Sequence, residues 1–312
     1  MSQQPTSATS VHAAQAGTPA RASRSPLWQT VSALLHDKLA LIGIVLVTLF
    51  VLAALFAPLM APQNPYDLSQ LDILDGRLAP GSMSANGMVY LLGTDDQGRD
   101  LLSAMLYGLR TSLLVGVSSA AIALLIGASI GLLSAYAGAR LDSFLMRIVD
   151  IQLSFPAILI ALIFLAILGQ GIDKIILALI VTQWAYYART IRGSALVERK
   201  RAYVDAARSM ALPDHSILFR HILPNCLPPL IVVATMRVAY AIMLEATLSF
   251  LGIGLPVTQP SLGLLISNGF EYLLSGDYWI SFFPGLVLLL LIVAINLIGD
   301  ALRDILNPRR EG

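Results

Sequence analysis

Six apolar runs of membrane-spanning length divide the sequence, and they constrain the fold more than any other feature. A helix needs about 20 mostly apolar residues to cross roughly 30 Å of hydrocarbon. The sequence of 312 residues is 56% hydrophobic and only 12% charged. These patterns predict an all-α polytopic membrane protein with six transmembrane helices. The predicted spans cover residues 39–59, 113–137, 151–169, 172–191, 227–253 and 278–298.

The segments outside these runs differ in character. Residues 1–26 are rich in Ser, Ala, Thr, Gln and Pro without apolar periodicity, which predicts a disordered tail. The transmembrane domain then covers residues 27–310, and residues 28–38 could form a short interfacial helix. Pro, Asn, Asp and Gly prevent long elements in an outer loop at 60–92. A second outer loop, 254–277, has room for a short helix at 262–272.

Small residues recur every four positions in the second run. Because they form one smooth stripe on a helix, another helix can approach closely there. We therefore predict tight helix packing rather than a ligand site along this stripe, which consists of Ser119, Ala123, Gly127, Gly131 and Ala135.

Composition and missing motifs exclude several classes of protein. The net charge of +1 gives no bulk electrostatic reason to bind nucleic acid. The single cysteine, Cys226, excludes an intramolecular disulfide and a cysteine-based metal cluster. The sequence contains no Gly-x-x-x-x-Gly-Lys-Ser/Thr phosphate loop and no His-Glu-x-x-His motif. We predict no catalytic residues and no metal site in this chain.

The polar segment 198–225 interrupts the apolar runs. Its first half has helical spacing, with Tyr203, Ala206, Ala207 and Met210 on one face. Pro213 ends that helix and can begin a second one over 214–222. Pro224 is expected to close the second helix. On spacing alone, this segment could equally be an ordinary basic loop with two amphipathic helices.

The distribution of basic residues predicts the orientation in the membrane. With the N-terminus inside, 15 of the 20 Lys and Arg residues fall in cytoplasmic segments and four in outer segments. Cytoplasmic loops carry such an excess of positive charge. The polar segment 198–225 and both termini are therefore predicted to lie in the cytoplasm.

Four motifs carry a family resemblance. The string Asp205-Ala206-Ala207, followed by His221-Ile222-Leu223-Pro224, resembles the loop of permease subunits in binding-protein-dependent ABC importers that couples them to their ATPases. On this resemblance we call the polar segment 198–225 the coupling loop. Asp205 stands where Glu is usual in that family, and Ala211 stands where Gly is usual. Ala211 could straighten the bend between the two helices.

Three further segments resemble the dipeptide, oligopeptide and nickel branch of this family. They are residues 92–100, 244–252 and 296–304. In the first, Thr94 or Asp95 is a predicted helix N-cap and Asp96 lies favourably near the helix dipole. The resemblance covers about residues 27–310 and is greatest to the second permease, the C subunit, of dipeptide or oligopeptide systems.

The resemblance implies a type I ABC importer fold and a role as one permease subunit in the bacterial inner membrane. It also implies a related second permease, two cytoplasmic ATPase subunits that hold ATP and Mg²⁺, and an external solute-binding protein. No cofactor is expected in this chain. The residues that would couple to an ATPase are Tyr203, Asp205, Ala206, Ala207, Arg208, Met210, Ala211, His221, Leu223 and Pro224.

Two charged residues, Arg237 and Glu245, lie within the fifth span. Charges in a membrane usually face a bundle interior or a water path. Eight residues separate them, about 12 Å along a helix, so a direct salt bridge is not expected. They and Asn296 are candidates to line the translocation path, and the alternative is a structural contact between helices or subunits.

The substrate remains open at the level of sequence. The branch carries di- or oligopeptides, and the same machinery also serves nickel or glutathione. A secondary transporter driven by an ion gradient would favour an inverted internal repeat and deep acidic residues. The two halves show no clear repeat. A membrane scaffold or enzyme subunit without a transport role is a further alternative.

Overall fold

The computed structural model describes residues 26–84, 87–136 and 138–306. The predicted disordered tail lies outside these residues apart from Pro26, which begins the first helix. The end of the predicted transmembrane domain, residues 307–310, also lies outside them.

The described chain is built from helices joined by turns. The amino-terminal half contains α1 (Pro26–His36), α2 (Lys38–Leu55), α3 (Ala57–Met60), α4 (Leu101–Tyr136), α5 (Ala139–Ser154) and α6 (Ala157–Leu168). The other half contains α7 (Ile172–Glu198), α8 (Ala202–Ser209), α9 (Asp214–Ser216), α10 (Leu223–Phe250), α11 (Leu262–Phe270) and α12 (Trp279–Ile305). The short helix predicted at 262–272 is confirmed as α11, and the helix predicted at 28–38 is confirmed as α1.

Four helical segments among the described residues are long and apolar enough to cross a membrane. They are Lys38–Leu55, Leu101–Tyr136, Asp214–Phe250 and Trp279–Ile305, and α5 with α6 would add a fifth if that bent pair is one span. Helix α7 is not among these four segments, because Thr182, Gln183 and Arg189 lower the hydropathy of its sequence. The count of six spans remains a prediction.

The third predicted span is not one straight helix, which corrects the prediction for 151–169. Helices α5 and α6 meet at an angle of 89°. Phe155 and Pro156 are extended at the break, with ψ angles of 141° and 126°. Proline disfavours the helical conformation of the residue before it. Pro156 therefore bends the chain here and does not continue the helix.

The small-residue stripe of α4 packs against α7, as predicted. All five of its residues are buried. A Cβ atom on Gly127 would lie 2.3 Å from the Trp184 carbonyl oxygen, and one on Gly131 would lie 2.3 Å from that of Ala188. The two backbones are therefore too close for any larger side chain.

Helix α10 continues directly from the coupling loop, which corrects the prediction that Pro224 closes the second helix. Residues Ile217–Ile222 form a π-helical segment that leads without a break into α10. Pro224 lies in the first turn of α10, where its missing N–H removes little. The wider π turn also relieves the proline ring of its clash with the preceding turn.

The outer segment, residues 61–100, is held by its own side chains. The Asp75 carboxylate accepts hydrogen bonds from the Ser84 hydroxyl at 2.5 Å and the Tyr90 hydroxyl at 2.9 Å. Asp95 and Arg99 form a buried ion pair with N and O atoms 2.5 Å apart. Burial and the Asp75 contact raise the pKa of Tyr90 to about 12. The described part of this segment contains two short 3₁₀ turns and two isolated antiparallel bridges, Met83 with Val89 and Thr94 with Asp100.

The N-cap of α4 is Asp100, which corrects the prediction of Thr94 or Asp95. The Asp100 carboxylate accepts hydrogen bonds from the Ser103 backbone N–H at 2.8 Å and from its hydroxyl at 2.5 Å. Burial raises the pKa of Asp100. The Thr94 hydroxyl instead donates to the Asp75 carbonyl oxygen at 2.5 Å. Asp96 accepts a hydrogen bond from Asn268 at 3.2 Å, so its partner lies on α11 rather than on α4.

Candidate functional site: the coupling loop and the groove behind it

The inner face of the coupling loop belongs to the hydrophobic core. Val204 and Ala207 of α8 are at most 1% exposed and pack with Ile217 and Ile222 of the π-helical segment. The same cluster contains Cys226, whose burial agrees with a packing role. Ala207 is therefore buried at the edge of the predicted face, whereas Tyr203, Ala206 and Met210 on the same side of α8 are exposed.

The outer face of α8 is exposed. Met210 is 68% exposed and Tyr203 is 37% exposed, and Ala206 lies between them on the same face. The Asp205 and Arg208 side chains, 3.7 Å apart, form an exposed ion pair. Such a pair contributes at most about 1 kcal/mol to stability. A surface with alternating apolar and charged groups and one small residue, Ala206, suits contact with another protein.

The bend after α8 is sharp, which corrects the prediction that Ala211 could straighten it. Ala211 has a φ angle of 56°, in the left-handed region that a glycine would adopt without strain. The Leu212 N–H donates to the Ala207 carbonyl oxygen at 3.2 Å and the Ala211 N–H donates to that of Arg208 at 2.9 Å. These two hydrogen bonds are those of a helix C-cap with a left-handed residue. The packing on both sides thus imposes the bend on an alanine.

Hydrogen bonds at the membrane side tie the loop to the transmembrane helices. The Tyr203 hydroxyl donates to the Glu198 carboxylate at 2.6 Å and accepts from the Asn225 amide at 3.2 Å. Burial and the Glu198 contact raise the pKa of Tyr203 to about 12. A tyrosine of α4, Tyr136, donates to Asp214. The loop is therefore tethered to α4, α7 and α10 together.

The motif that ends the coupling loop lies at the start of α10. The His221 carbonyl oxygen accepts a hydrogen bond from Asn225 at 2.7 Å, and the His221 ring contacts the Ser216 carbonyl oxygen at 3.2 Å. Leu223 packs against the core cluster, and Pro224 follows it in the first turn. A displacement of the loop would therefore move α10 directly, since no flexible residue separates them.

Arg237 lies on α10 against tyrosine rings. Its guanidinium carbon is 3.4 Å from the ring centroid of Tyr186, on α7, and 5.2 Å from that of Tyr240. A cation over an aromatic face is stabilised by the electrons of the ring. No ion pair joins Arg237 to a carboxylate within the described ranges, which agrees with the expected absence of a bridge to Glu245.

Glu245 is fully buried rather than exposed to a path. Its two carboxyl oxygens accept hydrogen bonds from the hydroxyl groups of Ser112, on α4, and Ser249, each at 2.8 Å. In this conformation the geometry favours the structural alternative, in which Glu245 holds α10 to α4. Asn296, the third path candidate, is half-buried on α12.

A groove of about 750 Å³ opens between α7, α10 and α12 beside the coupling loop. Most of its surface is apolar and includes the proline pair of α10, and several polar and charged side chains lie among the apolar ones. Its lining includes Thr190, Ser194, Glu198, Pro229, Val233 and Arg303. Sequence reasoning missed this groove because it depends on which faces of three distant segments meet.

Two further contacts were absent from the sequence predictions. Arg192 of α7 forms a bidentate salt bridge with Asp142 of α5, with one N···O distance of 2.6 Å. Fifty residues separate the two, and no local pattern signals such a pair. The Asp95–Arg99 pair does have a signal, since charges at i and i+4 of opposite sign suggest an interaction.

Comparison with known proteins identifies the family of this chain. Residues 123–312 match the family described as binding-protein-dependent transport system inner membrane component. Residues 25–80 match the N-terminal transmembrane domain of oligopeptide transport permease C. The chain belongs to the binding-protein-dependent transport permeases, the membrane subunits of ABC importers, and to their dipeptide and oligopeptide branch. It is therefore a transport subunit rather than an enzyme.

Curated relatives cover nearly the whole chain. A putative peptide transport system permease protein of Brucella abortus is 43% identical over 92% of this chain and 93% of its own length. The di/tripeptide transport system permease protein DppC of Pseudomonas aeruginosa is 38% identical over 96% of this chain and 97% of its own. The oligopeptide transport system permease protein OppC of Bacillus subtilis is 34% identical over 95% of each.

A solved structure shares the fold. The inward-facing MetNI methionine ABC transporter includes a chain that aligns with a TM-score of 0.53 and 22% identity, covering 65% of this chain and 96% of its own length. At that identity the likeness concerns the fold alone. It agrees with the all-helical ABC importer permease fold predicted from the sequence.

Proposed function

We propose that this chain is one permease subunit of an ATP-driven importer and forms half of a translocation path for di- or oligopeptides. The relatives named for peptide transport support the substrate class. The observation that carries the coupling role is the exposed outer face of α8, on a loop continuous with α10. A push on that face would move a transmembrane helix as a rigid body, which is how such machines change conformation.

The remaining parts of the importer are proposed from the family. A related second permease would complete the path, and an external solute-binding protein would deliver the peptide. Two cytoplasmic ATPase subunits would hold ATP and Mg²⁺ and contact the coupling loop. Tyr203, Asp205, Ala206, Arg208 and Met210 supply the exposed contact surface. Ala207, Ala211, His221, Leu223 and Pro224 shape and support it from behind.

The proposed orientation places both termini and the coupling loop in the cytoplasm. The distribution of Lys and Arg residues supports it. Helix α7 would be one of six spans, since its 27 residues extend about 40 Å. Its polar side chains would then face protein and the groove rather than lipid.

A co-purification experiment tests the coupling role. The tagged chain would be isolated from its native membrane in mild detergent as wild type, Ala206→Arg and Ala79→Arg. Ala206 is exposed on α8, and Ala79 is exposed on the opposite, outer segment, so both variants add the same side chain to a surface. We expect the ATPase to be lost only with Ala206→Arg, while the second permease is retained in all three. Recovery of the chain alone would contradict the proposal and favour the secondary transporter.

A further inference from the structure

The groove between α7, α10 and α12 leads from the coupling loop towards the middle of the membrane helices. Among the residues that line the groove, Thr190 is the one nearest the centre of α7, and Val233 is the one nearest the centre of α10. Residues four positions apart lie on the same face of a helix. One turn further along these faces are Tyr186 on α7 and Arg237 on α10, which contact each other. The pair therefore lies one helical turn beyond the residues that line the groove.

The flat face of the Arg237 guanidinium group stacks on tyrosine rings, and among the described residues the N–H groups at its edge are free to form hydrogen bonds. Tyr186 lies 3.4 Å away and Tyr240 lies 5.2 Å away, measured from the guanidinium carbon to the ring centroids. Stacking uses the π-faces of the cation, whereas its N–H donors point outward in the plane. Two parallel N–H donors of an arginine match the two oxygens of a carboxylate.

No carboxylate of this chain fills that role within the described ranges. Glu245, the other acidic residue of α10, is fully buried and bound by Ser112 and Ser249. A charged residue within a membrane span is costly unless a partner or a water path stabilises it. A half-buried guanidinium without an acidic partner is therefore suited to the reversible binding of an anionic group.

The polar character continues along α7 beyond Tyr186. Gln183 is fully buried, and within the described part of the chain neither its amide nitrogen nor its amide oxygen has a hydrogen-bond partner. The same holds for the hydroxyl group of Tyr187. Unpartnered buried polar atoms are rare in folded proteins and need an explanation. Gln183 lies about one turn of α7 from Tyr186, the residue that contacts Arg237, whereas Tyr187 packs on the α4 side of the helix.

We propose that Arg237 binds the α-carboxylate of a peptide in transit, with Tyr186 and Tyr240 as the aromatic platform of the site. The inference rests on the proposed function, because it concerns the substrate of that path. Every unmodified linear peptide carries one free α-carboxylate whatever its side chains are. An arginine that recognises this group therefore accepts many sequences, and the flat tyrosine rings tolerate different side chains.

Direct binding to the assembled membrane complex tests the proposal. The two permeases and the ATPases would be purified together in lipid nanodiscs without the solute-binding protein, so that its own selectivity does not enter. Alanyl-alanine and its C-terminal amide would be titrated separately and followed by calorimetry. We expect the free acid to bind at least tenfold more tightly than the amide, since a charge-assisted pair of hydrogen bonds is lost in the amide.

Matched variants assign the effect to Arg237. Arg237→Gln is expected to weaken the free acid about tenfold and leave the amide unchanged, while Arg237→Lys retains part of the preference. Arg140→Gln removes a charge from an exposed position of α5 and is expected to change neither affinity. Co-purification of the second permease and the ATPases with each variant shows that the complex remains assembled.

Three results would overturn the proposal. One is equal affinity for acid and amide in the wild type, and a second is no binding of either up to about 10 mM. The third is loss of the second permease from Arg237→Gln alone, which would mean that Arg237 pairs with that subunit. In the first two cases the complex still assembles with its ATPases, so the proposed function stands. Failure of the wild-type chain to recover any ATPase would instead remove the proposed function.

Discussion

The outer segment 61–100 and the coupling loop 198–225 both connect membrane helices, but their polar side chains are used differently. In the outer segment the charged groups of Asp95 and Arg99 are at most 1% exposed and bind each other. In the coupling loop, the Asp205 and Arg208 side chains are 68% and 39% exposed. The first segment buries its charges in contacts with itself and with the second outer loop, whereas the second presents charges and apolar groups outward. That difference indicates where a partner is needed.

The outer segment should be the more sensitive of the two to loss of a single charge. Asp95→Ala leaves the Arg99 guanidinium buried without its carboxylate, and we expect the free energy of unfolding to fall by about 3–5 kcal/mol. Thermal unfolding of the purified chain in detergent measures this. Asp205→Ala removes the exposed pair with Arg208 in the coupling loop and should change stability by less than about 1 kcal/mol. Equal effects of the two substitutions would contradict the distinction.

Adjacent alanines of α8 should separate folding from coupling. Ala207→Arg forces a long charged side chain into the core, and we expect a loss of at least about 1–3 kcal/mol in the free energy of unfolding. Ala206→Arg should leave stability within about 0.5 kcal/mol of the wild type, since Ala206 is exposed. Thermal unfolding of the two variants measures the difference. If Ala206→Arg destabilised the chain as strongly as Ala207→Arg, α8 would have no free face.

The smallest expected effect concerns the bend in the coupling loop. Ala211→Gly removes the strain of a left-handed alanine, and we expect a gain of about 1 kcal/mol in the free energy of unfolding. The same substitution in the interior of α8, Ala206→Gly, should instead reduce stability by up to about 1 kcal/mol. Chemical unfolding curves compare the two variants. A loss of stability in both would show that Ala211 is not strained.

Much of the fold could be predicted because the membrane limits what an apolar run can do. The runs at 39–59, 113–137, 227–253 and 278–298 each coincide with a long helix. The stripe that contains Gly127 and Gly131 predicted close packing of another helix, since close approach of two backbones needs small residues, and the structure shows that this helix is α7.

Other features could not be predicted, because they depend on how distant segments meet. Pro156 bends the chain by 89° and Pro224 does not end its helix, although both are prolines near the start of an apolar run. Ala206 and Ala207 are adjacent identical residues with opposite exposure, and only the packing of α8 on the core distinguishes them. The site of Arg237 needed the position of Tyr186 on another helix.

Hydrogen–deuterium exchange of the permease pair, with and without its ATPase subunits, tests the central claim most directly. Exchange reports how readily each backbone segment opens and how well it is covered. The account predicts that residues 202–225 become protected when the ATPases are present, while residues 61–100 exchange equally slowly in both samples. Unchanged exchange across 202–225, with the ATPases bound, would contradict the assignment of this loop as the coupling surface.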